Sequence, residues 1–211
     1  MDMISVLIVD DHDLLRSGLK TLIEMEADIT IAGEAGSACE AMSILRSGRV
    51  DITIMDLELP DKNGLELLKD IKNETIETAV LVLSMHPENR WAKRLIQNGA
   101  CGYLTKVNAA EKIVAAIRAI EHEGHYITPE VSAVLFEEVA GTQKPVVHAR
   151  LSDREYEVFI LISKGKTIRD ISEQLSLSVN TVNTYRRRIY EKTGFKNSEQ
   201  IIKYAVEQKL V

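Results

Sequence analysis

Over the first 120 residues, five short runs rich in β-branched residues alternate with longer amphipathic stretches, and this alternation restricts the fold more than any other feature of the chain. The runs are Val6–Val9, Ile29–Ala32, Ile52–Met55, Val80–Leu83 and Gly102–Leu104. Between them apolar side chains recur at helical spacing: Leu15, Leu19, Leu22 and Ile23, then Ala92, Leu95 and Ile96, then Ile113, Ala116, Ile117 and Ile120. Apolar strands each followed by a helix suit a parallel sheet covered on both faces. The expectation is an α/β fold, a five-stranded doubly wound parallel sheet.

Strand signals stop after this region. Residues 124–149 hold Gly124, Pro129, Gly141 and Pro145 around one helical pattern, read as a linker with a short helix from Pro129 to Val139. From Leu151 four helical segments follow, at Asp153–Ser163, Ile168–Gln174, Val179–Lys192 and Ser198–Glu207. The predicted organisation is therefore 1–123, a linker 124–149, and a small all-α four-helix domain at 150–211. Charge divides along the same line. Residues 1–144 carry 14 Lys/Arg against 24 Asp/Glu, whereas residues 145–211 carry 12 against 8, so only the second part suits a polyanion. Two cysteines far apart, Cys39 and Cys101, fit a reducing compartment. No apolar run approaches the ~20 residues of a membrane span and the N-terminus is acidic, which places the chain in the cytoplasm with no membrane partner.

In an open α/β sheet, ligands bind beyond the carboxyl ends of the strands. Strand one there ends in Asp10 and Asp11, strand three in Asp56, strand four in Ser84, and strand five runs into Thr105 and Lys106. Taken singly, these acids can be helix caps: Asp11 or Asp13 for the first helix, Asp56 for a solvated loop. Taken together they are three carboxylates, a hydroxyl and an ammonium converging on one edge. Clustered carboxylates repel unless a cation lies among them, and a hard divalent ion, Mg2+, is the natural occupant. Beside it, Asp56 can act as a nucleophile toward a phosphoryl group, with Lys106 neutralising the oxygens and Ser84 donating a hydrogen bond to the product.

VLIVDDHDLLRSGL, IMDLELPDKNGLELL, VLVLSMH and GACGYLTK resemble the four signature segments of two-component receiver domains, in order and spacing. The resemblance implies Asp56 as phospho-acceptor, Asp10 and Asp11 as acidic metal ligands, and the Glu58 backbone carbonyl as a further ligand. It also implies Ser84 as switch hydroxyl, Lys106 as the phosphate-pairing lysine and Tyr103 as aromatic switch. Pro60 and Gly64 match the family's turn after the acceptor. The chain departs from the family at Val107, where many receivers carry proline, and at Met85, where many carry a small residue. Met85, with His86 and Glu58, bears on phosphoryl lifetime.

In the basic region, Ile168, Ile171, Leu175, Val179, Val182 and Ile189 are spaced to pack two helices around the turn at Leu175–Ser178, as in a helix-turn-helix. On the second of these helices Asn180, Asn183, Thr184 and Arg187 share the face opposite Val182 and Ile189. Arg186, Arg187 and Arg188 point about 100° apart, so only Arg187 is central to that face, and the other two flank it toward phosphates. Asn180 or Asn183 suits adenine and Arg187 guanine.

The segment from Leu151 resembles the LuxR-type DNA-binding domain through Leu151-Ser152, Arg154-Glu155, Glu157-Val158, Ile171, Leu175, Ser178, Thr181-Val182, Lys192 and Gly194, with Tyr185 where many members have histidine. It implies base contacts from Asn183, Thr184 and Arg187, phosphate contacts from Ser178, Thr181, Arg188 and Lys192, and a dimer surface on the last helix. Together the two resemblances identify the chain as a member of the NarL/FixJ class of response regulators, with wording similar to the GacA/UvrY-like subgroup. The implied partners are a cognate sensor histidine kinase, double-stranded DNA and, once phosphorylated, a second copy of the chain.

Two other classes fit parts of the pattern. A Mg2+-dependent phosphatase also uses an aspartyl phosphate, but places its acids as Asp-x-Asp after the first strand and needs a substrate cap. A phosphorylation-independent DNA binder would keep the first domain as a vestige. Cys39, Cys101, His12, His122, His125 and His148 lack metal-ligand spacing and are read as structural or incidental. Trp91, Tyr103 and the helix-five surface are read as a face that changes on phosphorylation, with plain packing as the alternative for Trp91.

Overall fold

The five apolar runs become one parallel sheet in a computed structural model that describes residues 3–85, 88–139, 147–208 and 210–211. The strands are β1 (Ile4–Val9), β2 (Ile29–Ala35), β3 (Ile52–Asp56), β4 (Ala79–Ser84) and β5 (Gly102–Thr105), in the order β2-β1-β3-β4-β5. Helices α1 (Asp13–Glu24), α2 (Ala38–Ser47), α3 (Gly64–Asn73), α4 (Glu88–Gln97) and α5 (Lys106–Glu123) follow the strands in turn. The order reverses direction at β1, so the crevice between the β1 and β3 ends is the topological switch point.

Alternation along each strand sends side chains to two faces. Ile4, Val6, Ile8, Ile52, Ile54, Leu81, Leu83 and Leu104 pack with Leu19 and Ile23 of α1 and with Ile113, Ala116, Ile117 and Ile120 of α5. The intervening residues, including Leu7, Val9, Met55, Val82 and Tyr103, are equally buried and face the side of α2 to α4. Burying a residue of this size contributes about 1.5–3 kcal/mol relative to exposure, so the strands are held by both layers.

Each strand was expected to be shorter, most visibly β2. It runs through Gly33 to Ala35 because its pairing with β1 shifts by one residue between Val6 and Leu7, and Gly33 then lies opposite Leu7. A Cβ on Gly33 would stand 3.2 Å from the Ile44 side chain, so glycine admits α2 here and does not end the strand.

The chain divides into two compact units, Met1–Val139 and Ala140–Val211. Helix α6 (Pro129–Val139), placed by the sequence in the linker, packs on α4 within the first unit. Gly141 and Pro145 lie outside the described residues.

The second unit holds a 3-10 turn at Val147–Arg150 and helices α7 (Asp153–Ser163), α8 (Ile168–Gln174), α9 (Val179–Thr193) and α10 (Ser198–Glu207). Each begins on a side-chain cap, Ser152, Thr167, Ser178 and Asn197 respectively, which satisfies amides that a helix start leaves open. Phe159, Ile171, Val182, Ile189, Ile201 and Ala205 form its buried centre.

Candidate functional site

Parallel strands in register deliver their last residues to one edge. Asp10 follows β1 and its N–H completes the ladder to Ala35 O of β2 at 3.0 Å. Asp56 ends β3, Ser84 ends β4 opposite Thr105 of β5, and Lys106 opens α5. Asp10, Asp56 and Ser84 are all buried. Tyr103, two residues before Thr105, is fully buried beside Val82 of β4.

Lys106 Nζ donates to Asp56 Oδ2 at 2.7 Å and stands 2.7 Å from Asp10 Oδ2. The second contact is a charge pair without hydrogen-bond alignment, which leaves a buried oxygen of Asp10 with no donor aimed at it. One ammonium thus serves two buried carboxylates. Burial drives the Asp56 carboxyl above its ordinary 3.8; Lys106 pulls it down only in part and the neighbouring Asp10 charge pushes it further up. Burial acts to lower the Lys106 ammonium, but the two carboxylates beside it, Asp10 and Asp56, win and hold it above 10.5.

The loop after β3 is fixed by backbone contact. Glu58 N–H donates to Asp56 Oδ1 at 3.2 Å, and the exposed Glu58 bridges to Asn63. Gly64 N–H donates to Leu57 O at 2.8 Å, and a Cβ on Gly64 would lie 2.6 Å from Asp56 O and 2.9 Å from Leu57 Cα. No side chain fits that approach, which accounts for the glycine eight residues after Asp56. Asp61, past Pro60, reaches across to the start of α2, where its two carboxylate oxygens accept the Ala38 and Cys39 N–H groups, each at 2.9 Å. Burial acts to raise the Asp61 carboxyl, but those amides outweigh it and set it below 3.8.

Three residues missed by sequence reading complete the edge. Arg16 donates to Asp10 O at 2.5 Å and also pairs with Asp13 and Glu34, occupying the carbonyl where the β2 ladder has run out. Asp61 is the second. His12, read as structural or incidental, places Nδ1 2.6 Å from Asp11 Oδ1 and 3.1 Å from Asp10 Oδ1, while its backbone N–H donates to Asp10 Oδ1 at 2.8 Å. Its position directly after Asp10-Asp11 was the available signal. His86 lies outside the described residues.

Asp10, Asp11, His12 and Asp56 bring ligand atoms within 4.8 Å of one another. Three carboxylates around a buried oxygen with no hydrogen bond to it fit a divalent cation by their donor chemistry.

In the second unit, α9 buries Val182 and Ile189, and Tyr185 is half-buried. Asn180, Thr184, Arg187 and Arg188 are exposed and Asn183 partly so, which sets the expected reading face outward. Ser178 Oγ accepts the Thr181 N–H at 3.1 Å as the helix cap, and the two hydroxyls lie 2.8 Å apart. Arg187 makes a loose pair with Glu191 at 3.8 Å. Lys192 is different: its Nζ donates to Glu155 Oε2 at 2.6 Å. Glu155 is buried on α7, where it also accepts the Ser152 N–H at 2.8 Å in a capping box. Lys192 therefore clamps α9 to α7, a role hidden from sequence reading by the 37 residues between the partners.

Residues 6–118 match the response regulator receiver domain, and residues 149–205 match the bacterial regulatory proteins of the luxR family. The response regulator UvrY of Escherichia coli K12 is 35% identical over 211 residues, spanning 99% of this chain and 96% of UvrY. The response regulator GacA of Pseudomonas aeruginosa is 32% identical over 210 residues, spanning 99% and 98%. Among solved structures, the RcsB response regulator of Salmonella typhimurium superposes with a TM-score of 0.74 at 23% identity, covering 98% of both chains, a likeness of fold. A second RcsB structure, bound to promoter DNA in the presence of the phosphomimetic BeF3−, has a TM-score of 0.71 at 23% identity and covers 96% of this chain and 98% of RcsB. The chain belongs to the NarL/FixJ family of two-component response regulators, a receiver joined to a LuxR-type DNA-binding unit.

Proposed function

We propose that this response regulator accepts a phosphoryl group on Asp56 from the phosphohistidine of a cytoplasmic sensor kinase and, so charged, binds DNA as a dimer through α9. The observation that carries the reading is the sharing of Lys106 by Asp10 and Asp56: two buried carboxylates with one cation are one positive charge short. Mg2+, held by Asp10, Asp11 and Asp56 with the Glu58 carbonyl, would supply that charge and shield the phosphoryl oxygens when bound.

In the transfer, an Asp56 carboxylate oxygen attacks phosphorus, the N–P bond of the phosphohistidine breaks, and its electron pair stays with the imidazole. Lys106 holds the added negative charge, Ser84 donates a hydrogen bond to a phosphoryl oxygen, and Tyr103 repacks with it. The receiver promotes this transfer and its own dephosphorylation and has no separate substrate. Asp10 and Asp11 are adjacent, unlike the Asp-x-Asp of the phosphatases, which argues against that class.

The receiver is assigned to 1–123, the linker to 124–149 and the DNA-binding domain to 150–211. On α9, Asn180, Asn183, Thr184 and Arg187 are assigned to base edges, and Ser178, Thr181 and Arg188 to phosphates. Lys192, expected at a phosphate, also pairs with Glu155, so its phosphate contact would compete with that clamp. Dimer formation is assigned to α10. Cytoplasmic location follows from these partners; among the described residues no helix is long and apolar enough to cross a membrane.

The test is labelling by acetyl phosphate or kinase. Asp56→Ala protein stays folded by circular dichroism and takes no label. Retained label on that variant would remove the assignment of Asp56.

A further inference from the structure

We propose that His12 is a nitrogen ligand of the receiver's cation site, so that this site takes first-row ions that accept imidazole, such as Co2+, Ni2+ and Zn2+, more tightly than Mg2+. This deepens the metal reading above and rests on it. The ring is placed for the role. Nδ1 sits between Asp11 Oδ1 at 2.6 Å and Asp10 Oδ1 at 3.1 Å, bridging two carboxylate oxygens as a bound cation would. Lys106 meanwhile lies on the other oxygen of Asp10 and on Asp56 Oδ2. The two nitrogen groups therefore enter the pocket from different carboxylate oxygens, and the His12 side has no buried lysine to displace.

His12 is 68% exposed, so its ring turns without a packing cost. A neutral imidazole with its proton on Nε2 would offer the Nδ1 lone pair as a donor beside the Asp10, Asp11 and Asp56 carboxylates. The charge balance also points to a ligand: Asp10 is 1% exposed, and its Oδ2 stands 2.7 Å from Lys106 Nζ without hydrogen-bond alignment, in a charge pair with a lysine that also serves Asp56.

The selectivity follows from donor chemistry. Mg2+ prefers oxygen donors and keeps several waters, so it gains nothing from imidazole. Later first-row ions gain affinity from a nitrogen donor, in the order of their general preference for such ligands. His12 is thus the one nitrogen donor among the four described ligand groups and sets which ion the pocket favours.

The test is calorimetric titration of the full-length, chelator-stripped protein with Mg2+ and separately with Co2+, following the visible absorption of bound Co2+. His12→Asn keeps a hydrogen-bond donor near the two carboxylates but removes the imidazole, and Asp56→Asn serves as the site control. The expected result is that His12→Asn weakens Co2+ about tenfold or more and shifts its absorption bands, while Mg2+ affinity stays within about threefold. Asp56→Asn weakens both ions. Equal losses of Mg2+ and Co2+ in His12→Asn, or no loss of Co2+, overturn the proposal. Co2+ binding that depends on His12 but survives Asp56→Asn also overturns it, since the histidine would then hold a separate surface ion. If Asp56→Asn leaves Mg2+ binding untouched, the metal reading itself fails, irrespective of His12.

Discussion

Two carboxylates, one in each unit, are buried to the same degree and face a lysine at nearly the same distance, yet their chemistry diverges. Asp56 and Glu155 are each 3% exposed; Asp56 Oδ2 lies 2.7 Å from Lys106 Nζ and Glu155 Oε2 lies 2.6 Å from Lys192 Nζ. Burial acts to raise both carboxyls. For Glu155 the hydrogen bonds from Lys192 and Ser152 win, and the group titrates below its ordinary 4.5. For Asp56 burial wins, because Lys106 is shared with Asp10 and the Asp10 charge adds to the cost. A buried carboxylate with a lysine to itself is finished structure. One that shares its lysine is held at a cost that an incoming cation relieves, and such unrelieved sites are where ligands bind.

The sharpest way to break this comparison is to remove the shared lysine. Lys106→Met leaves Asp10 and Asp56 buried with no ammonium and should cost the first unit about 3–5 kcal/mol in urea unfolding at neutral pH. The loss should shrink in acid or on adding Mg2+, because either neutralises the pair. A loss independent of both would mean that packing by the lysine stem, not charge, was removed.

Glu155→Gln should cost less, about 1–2 kcal/mol, since glutamine still caps α7 and Lys192 is partly in water. Because Glu155 titrates lower in the folded protein, its contribution is fully present above pH 4.5 and fades as pH falls through the depressed value. The variant should lack that part of the acid dependence; identical acid curves would show that Lys192 does not set the titration.

A salt titration separates the two lysine roles further. If Lys192 belongs to Glu155, Lys192→Gln leaves the slope of log affinity against log salt for a mixed-sequence duplex unchanged. Arg188→Ala should flatten that slope by about 0.9. A flattened slope for Lys192→Gln would return this residue to the phosphate contacts.

The smallest expected effect is Asp56→Asn in metal-free protein. A carboxyl raised in the folded state stabilises at low pH and loses that contribution as pH rises from 3.8 through the raised value. The ionised Asp56 is therefore a cost at neutral pH, and Asp56→Asn should raise the unfolding midpoint there, with the advantage vanishing in acid. A lowered midpoint at neutral pH would place Asp56 with Glu155.

These contrasts also mark what was legible beforehand. Asp10, Asp11, Asp56, Ser84 and Lys106 could be gathered because parallel strands have a common end, so five residues far apart in sequence inherit one location from the topology. The helices of the second unit were legible because apolar residues recur at helical spacing between short breaks, and Ser152, Thr167 and Ser178 cap them locally. The pairing of Glu155 with Lys192 joins two helices, and no local pattern encodes it. The second strand was ended at Ala32, one residue before Gly33; a glycine that ends a strand and one that admits a helix look alike in sequence, and Ile44 against Gly33 separates them. The contacts of His12, read as structural or incidental, escape a spacing argument because its partners are its immediate neighbours, reached by a turn and not by a helical or strand period.

The grip of Asp61 on the first amides of α2 has a use beyond holding a loop. Ala38 and Cys39 N–H are closed to solvent by a carboxylate that sits five residues after Asp56 on the same loop, so they exchange with deuterium only when that loop lets go. Amide exchange at these two positions, on a helix that carries none of the phosphoryl chemistry, reads the posture of the acceptor loop from a distance and leaves Asp56 untouched.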